Sequence, residues 1–337
     1  FGDMVTMKWW DDLWLNESFA EWSSYLALVE ATKFKNSWAG FNAERKNWAY
    51  RQDQLSSTHP IATDMVDIDT VKANFDGITY AKGASVLHQL VAHVGRDNFI
   101  KGLQKYFAKH AFKNTVLSDL LVELEATSGR DLSSWVSTWL QTSGVNTLRP
   151  VIESDGDSYK SITIKQEAPK IPAGSSELRP HRAAVGLYDL KDGQLLRRKS
   201  VELDITGDLT QVKELSGEKL ADLILINDHD LTYAKIRFDD RSIATLKAHL
   251  GKLNDGLSRA LCWSAAWDMF RDAELSATDF IEIALTGLAG EDDITTVTAL
   301  MTQLNTAVEI YAADKNRDPL REKVAGALLS LLKSAKA

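Results

Sequence analysis

The stretch Phe1-Gly-Asp-Met-Val5-Thr-Met-Lys-Trp-Trp10-Asp-Asp-Leu-Trp-Leu15-Asn-Glu17-Ser-Phe-Ala-Glu21-Trp22 decides how this chain is read. From Trp14 onward its apolar residues recur at helical spacing, and the pattern continues to residue 31, so a helix is expected over 14–31. On that helix Glu17 and Glu21 lie four apart and share a face. Like charges at this spacing repel by roughly a few tenths of a kcal/mol unless a cation compensates them. A divalent metal would do so, and so would a lysine or arginine from elsewhere in the fold.

Outward from this helix, apolar positions keep the helical period over 35–50, 80–94, 96–109, 116–127 and 131–141. The segment carrying Leu117, Leu120, Leu121 and Leu124 should stop near Ser128-Gly129, and the next puts Leu132, Trp135, Val136, Trp139 and Leu140 on one stripe. An extended loop is expected around 51–68. From about residue 147 the period shortens to two. Ser161-Ile-Thr-Ile-Lys165 and Val201-Glu-Leu-Asp-Ile205 alternate, and apolar bursts at 183–188, 195–203, 209–215, 222–227 and 232–238 are divided by turn residues. Pro169, Pro172 and Gly174 are read as a loop between two of these strands. Strands at roughly ten-residue spacing suggest a small β-sandwich. Past Asp239-Asp240 the helical period returns over 241–253, 257–271, 277–289, 293–312 and 318–335, as antiparallel hairpins would require. The ten tryptophans respect this division: all lie within 9–139 or 263–267.

A second chemically suggestive run is Phe75-Asp-Gly-Ile-Thr-Tyr80-Ala-Lys82-Gly83-Ala-Ser-Val86. A tyrosine hydroxyl stays protonated at neutral pH and can donate a hydrogen bond where negative charge develops. In isolation, a tyrosine before a helix is more commonly a core ring with a wet tip. Catalytic zinc takes three protein ligands, and two of them are often histidines four apart on one helix. The seven histidines, His59, His88, His93, His110, His181, His229 and His249, contain no His-Glu-x-x-His run. His88 and His93 are five apart, which suits local packing better than a shared ligand face. Cys262 beside Trp263 reads as core, and Arg197-Arg198-Lys199 as the charged edge of a strand.

The first stretch and the Tyr80-Ala-Lys82-Gly83 run together resemble the M1 zinc aminopeptidases, the aminopeptidase N family. The match is motif-specific over roughly the first ninety residues and rests on layout beyond them. In that family the first stretch directly follows the His-Glu-x-x-His helix, so the resemblance implies a chain beginning just after that motif. It implies that Glu17 is the third zinc ligand and that Tyr80 stabilises the oxyanion. Glu21 is a candidate for orienting a ligating histidine; its other reading is a helix-surface charge. Gly83 would allow close packing at the helix start, and Lys82 receives no role. His59-Pro60 and Asp64, Asp67 and Asp69 look like the family's intervening loop and are given no catalytic part. The implied fold is multidomain α+β: 1–145, the helical C-terminal part of a thermolysin-like catalytic domain; 146–238, a β-sandwich; and 239–337, the start of a hairpin-stacked α-helical domain.

The implied function is removal of N-terminal amino acids from peptides with a free N-terminus, with one Zn²⁺ in the intact protein. The chain by itself, lacking the histidines, is expected to be inactive and to hold zinc weakly. An epoxide hydrolase on the same scaffold is disfavoured by the long helical region after the sandwich. A non-catalytic M1-like scaffold is disfavoured by retention of both Glu17 and Tyr80. A net charge of −8 and a pI near 5.5 argue against a nucleic-acid partner. No apolar run suggests a membrane span, and the single cysteine fits a reducing compartment, so cytoplasm is expected. An incomplete helical domain should expose apolar surface and favour self-association.

Overall fold

The computed structural model describes residues 1–169 and 176–334. It is a mixed helix-and-sheet structure, and the changes of periodicity fall where its elements change type. The first helix, Leu13–Ala31, buries Trp14, Leu15, Ser18, Phe19 and Trp22 on one face. A short parallel pair, β1 (Val5–Met7) with β2 (Lys113–Thr115), ties the chain start to a later loop. Ser37–Gly40, a wider π turn Phe41–Lys46 and Asn47–Gln52 run on as one rod. Helices Gly83–Val94, Arg96–His110, Leu117–Ser128 and Ser133–Trp139 complete the block. Its core is aromatic: Trp14, Phe19, Trp22, Phe99, Trp135 and Trp139 lie in one buried cluster. Gly129 ends its helix at φ 70, a left-handed cap that glycine adopts without steric cost.

Two sheets follow. One orders β7 (Leu209–Gln211), β4 (Ser158–Glu167), β3 (Thr147–Asp155) and β9 (Lys235–Ile236); the other orders β6 (Gln194–Ile205), β5 (His181–Lys191) and β8 (Leu223–Asp228). Alternation puts Ile162 and Ile164 of β4 into the same core as Val185 and Leu187 of β5. That core continues without interruption into the helices Gly256–Arg271, Ala277–Leu288 and Ile294–Thr306. As an edge strand, β6 carries Arg197, Arg198 and Lys199, but these charges are paired with Asp228, Asp189 and Glu218 rather than left in water.

Some elements differ from their expected extents. The 209–215 burst is a three-residue strand and then a tight 3₁₀ turn, Lys213–Leu215; only Lys235–Ile236 of 232–238 pairs as strand. The rest of that burst serves burial: Tyr233, Ala234 and Phe238 are core residues. The last helix begins at Asp314, which places Pro319 inside it. The turn ahead of Pro319 carries the exposed pair Arg317–Asp314, and Arg321–Asp318 spans the proline. Pro169 is in a loop as expected, whereas Pro172 and Gly174 lie outside the described residues. No helix among the described residues is long and apolar enough to cross a membrane.

Candidate active site

Glu17 and Tyr80 are brought together by a contact between their neighbours. Ser18, fully buried, donates its hydroxyl to the Thr79 carbonyl at 2.7 Å. That approach depends on glycine at position 83, because a Cβ there would stand 1.9 Å from the Ser18 Oγ. The first helix therefore rests directly on the turn that carries Tyr80.

That turn, Ile78–Lys82, is a π turn whose start is held by Asp76. The Asp76 Oδ1 accepts from the amides of Ile78 at 2.8 Å and Thr79 at 3.2 Å. Its Oδ2 is held by His59 Nε2 at 3.1 Å and by the Gln52 side chain. His59 and the loop around it therefore support the turn, and Asp67 caps the short helix Ile68–Ala73 by accepting from the Thr70 amide. Tyr80 is left half-buried, its hydroxyl beside the Glu17 carboxylate. Burial, and then the Glu17 and Glu21 carboxylates, hold the phenol well above its ordinary value. It is a neutral donor across the physiological range.

Glu21 is compensated by an arginine. Arg45, on the π turn Phe41–Lys46, gives it a two-pronged contact, Nε to Oε1 at 2.6 Å and Nη2 to Oε2 at 2.9 Å. Only 8% of the Glu21 side chain is exposed, against 29% for Arg45. The guanidinium also lies over the Trp48 ring, 4.7 Å from its centroid. Of the two carboxylates on this helix face, Glu21 is committed to a cation, and Glu17 lies beside a neutral phenol.

Two residues beyond Tyr80 the environment changes completely. Lys82 pairs with Asp53 at 2.8 Å, and neither side chain is exposed. Asp53 also accepts from the Thr58 hydroxyl at 2.7 Å, the Gly144 amide at 2.8 Å and the Tyr233 hydroxyl at 3.3 Å. Burial lowers the Lys82 ammonium to about 8 while Asp53 opposes the shift. Lys82 thus anchors the Tyr80 turn to the junction with the sheets.

His88 and His181 are held by hydrogen bonds in the interior. His88 accepts from the Trp22 indole at 3.2 Å, and burial pushes it down to about 4. His181 is buried between Thr232 and Gln166 and lowered to about 3 by burial. Cys262 is fully buried, which raises its thiol and removes it as a nucleophile. Among the described residues no three of His, Cys, Asp or Glu are grouped to hold a metal ion. Glu17, half-buried and free of any ion pair among the described residues, suits one zinc ligand; these residues do not assemble a whole site.

Sequence reading singled out Glu17, Glu21, Tyr80 and Gly83, and missed Arg45 and Asp53. The repulsion expected between Glu17 and Glu21 was the available signal for Arg45, since it called for a cation. Nothing local marks Asp53, whose partners lie in four separate segments.

Comparison with known proteins bears on the same segments. The Peptidase family M1 domain matches residues 1–139, and the ERAP1-like C-terminal domain matches residues 223–337. The chain is 52% identical to an aminopeptidase N of Streptomyces lividans over 344 aligned residues, covering 100% of the chain and 40% of that protein. It is 34% identical to aminopeptidase M1-B of Oryza sativa subsp. japonica, covering 73% of the chain and 28% of the relative. It is 28% identical to the tricorn protease-interacting factor F2 of Thermoplasma acidophilum, covering 97% and 38%. The chain thus spans well under half the length of the curated relatives it matches.

Proposed function

The chain belongs to the M1 peptidase family, and from that premise we propose that it is part of a zinc-dependent aminopeptidase acting on peptides with a free N-terminus. The observation that carries the reading is the nearness of Tyr80 and Glu17, two motif residues brought to one half-buried place by the Ser18–Thr79 bond between their neighbours. In this reading Glu17 is the carboxylate ligand of the zinc, and the remaining ligands come from outside this chain. When bound, zinc supplies a Lewis acid for the scissile carbonyl and lowers the pKa of a water. Tyr80 contributes a neutral donor for the oxyanion, a task for which a phenol held above its ordinary value is suited. The Ser18–Thr79 bond and Gly83 fix the spacing of the two residues.

We divide the chain into 1–145, the later part of a thermolysin-like catalytic domain; 146–238, a β-sandwich; and 239–337, the start of a stacked helical domain. The aromatic core of the first block and the two sheets sharing one core support this division. By itself the chain, with one candidate ligand, is inactive. Leu329 and Leu332, 51% and 73% exposed on the last helix, favour its self-association.

The test is hydrolysis of an aminoacyl-arylamide by the full-length protein, before and after chelation and zinc replacement. Activity lost on chelation and restored by zinc supports the reading. Equal activity in chelator, or none with zinc, overturns it.

A further inference from the structure

His59 has an oxygen against each of its ring nitrogens. Nδ1 lies 2.7 Å from the Pro60 carbonyl oxygen, and Nε2 lies 3.1 Å from Asp76 Oδ2. A carbonyl oxygen only accepts hydrogen bonds, and so does an ionised carboxylate. A neutral imidazole has one N–H and could serve only one of these contacts. Asp76 in turn is filled with donors: the amides of Ile78 and Thr79 on Oδ1, and the Gln52 side chain on Oδ2. The orientation of the Gln52 amide is fixed, because its oxygen accepts from the Gly77 amide at 3.0 Å. With N–H groups converging on both oxygens, the carboxyl keeps no proton of its own. His59 is therefore an imidazolium facing a carboxylate, with 12% of each side chain exposed. By contrast, His88 accepts from the Trp22 indole and His181 faces the Thr232 hydroxyl, and neither geometry demands a second proton.

Asp76 is coupled to Tyr80 by backbone and by ring. Its main-chain carbonyl accepts from the Tyr80 amide itself at 3.1 Å. The Phe75 ring, one residue earlier, packs edge-on against the Tyr80 ring with centroids 5.2 Å apart. A shift of Asp76 therefore carries Tyr80 with it. The other charged groups around the pair are Asp53, Lys82 and Arg179. Asp53 accepts from Thr58, the neighbour of His59, and Lys82 lies within electrostatic reach of Asp76 and of Arg179. Lys82 and Asp53 neutralise each other at 2.8 Å, and Arg179 gives its bonds to Asn146, Thr142 and main-chain carbonyls. Asp76 is left as the counter-ion in contact with His59.

We infer that His59 and Asp76 are positioning residues for the oxyanion donor, a charged clamp that holds the Tyr80 hydroxyl in place and lets go when His59 gives up a proton. Loss of that proton to water leaves a ring lone pair facing an oxygen, so either the Pro60 or the Asp76 bond breaks. Asp76 is then held on one side only, and the turn that starts from it is free to move against Glu17. The inference rests on the aminopeptidase reading above, and adds a group that acts on the reaction through Tyr80 without touching the substrate.

The experiment follows hydrolysis of alanyl-p-nitroanilide by the full-length, zinc-loaded protein as a function of pH. His59→Gln is the informative variant, because a glutamine Nε2 can donate to Asp76 at any pH. The wild type is expected to lose kcat by about tenfold on the alkaline side with KM little changed, the order expected for a slightly displaced donor. The Tyr80 phenol, held well above its ordinary value, does not itself produce that fall. His59→Gln should keep most of the neutral-pH kcat and lose the alkaline fall. His59→Ala should lower kcat by about tenfold at neutral pH and leave KM standing. Asp76→Asn should do the same, and the two changes together should cost no more than either alone, because the residues act in series. Should Asp76→Asn fail to fold, the pH profiles of wild type and His59→Gln decide. The same alkaline profile in wild type and His59→Gln, an unchanged kcat in His59→Ala, or losses that multiply in the double variant would overturn the inference. No hydrolysis by zinc-loaded wild type at any pH would instead overturn the reading beneath it.

Discussion

Tyr80 and Lys82 sit two residues apart on one π turn and live in opposite surroundings. Tyr80 faces the half-open side, beside Glu17 and near an Arg45–Glu21 pair that water still reaches. Lys82 faces a sealed side, where its ion pair with Asp53 has no exposure. The difference separates two uses of charge. A sealed pair contributes position, because leaving either partner alone in the interior is costly. A half-open constellation keeps donors and acceptors within reach of a substrate, and its own ion pair adds little stability.

The comparison can be broken at several points. Tyr80→Phe should lower kcat of the full-length protein by about 10²-fold or more, the usual loss for one oxyanion donor. Its unfolding temperature should stay close to wild type, since Tyr80 is only half-buried. Lys82→Met should do the reverse. It leaves Asp53 buried without its cation, a loss of about 3–5 kcal/mol, visible as a lower first transition in thermal unfolding. Equal stability in the two variants would dissolve the distinction between the two sides.

Gly83→Ala joins them. Its Cβ would meet the Ser18 Oγ at 1.9 Å, forcing the first helix away from the Tyr80 turn. The cost in stability is about 1–3 kcal/mol, and kcat should fall with it because Glu17 and Tyr80 move apart.

Asp268 extends the comparison to a sealed charge without a close partner. Lys235 and Arg237 spend their bonds on Asp272 and Glu274, so burial dominates and raises the Asp268 carboxyl from 3.8 to about 6. Between those values the folded protein keeps a proton that the unfolded chain releases. Stability from this group is therefore full below the unfolded value and lost as pH rises through about 6. Asp268→Asn should flatten that slope and raise the unfolding temperature at pH 7 by about 2–4 °C. A variant with an unaltered pH slope would show that Asp268 does not carry it. The smallest effect belongs to Glu21→Gln, at most about 1 kcal/mol of stability.

Much of this was legible because it is local. Helical periodicity located Leu13–Ala31 and Gly83–Val94, and the Tyr80-Ala-Lys82-Gly83 run carried its own packing requirement in the glycine. Long-range pairings were not. Arg45 meets Glu21 across 24 residues and Lys46 meets Asp230 across 184, with no motif to announce either. Strand order was hidden for the same reason. Periodicity tells which face of a strand is buried, whereas the pairing of β3 with β9 depends on where the chain returns. The last helix was expected over 318–335 and begins a turn earlier, at Asp314, with the pair Arg317–Asp314 in that added turn.

The central claim is that Glu17 and Tyr80 belong to one zinc site, and zinc content tests it most directly. Full-length wild-type protein and its Glu17→Gln and Tyr80→Phe variants would be dialysed against a weak chelator and assayed for bound metal. The account predicts close to one zinc per chain in wild type and Tyr80→Phe, and a large loss in Glu17→Gln. Zinc retained in full by Glu17→Gln, or none in the wild type, would contradict it.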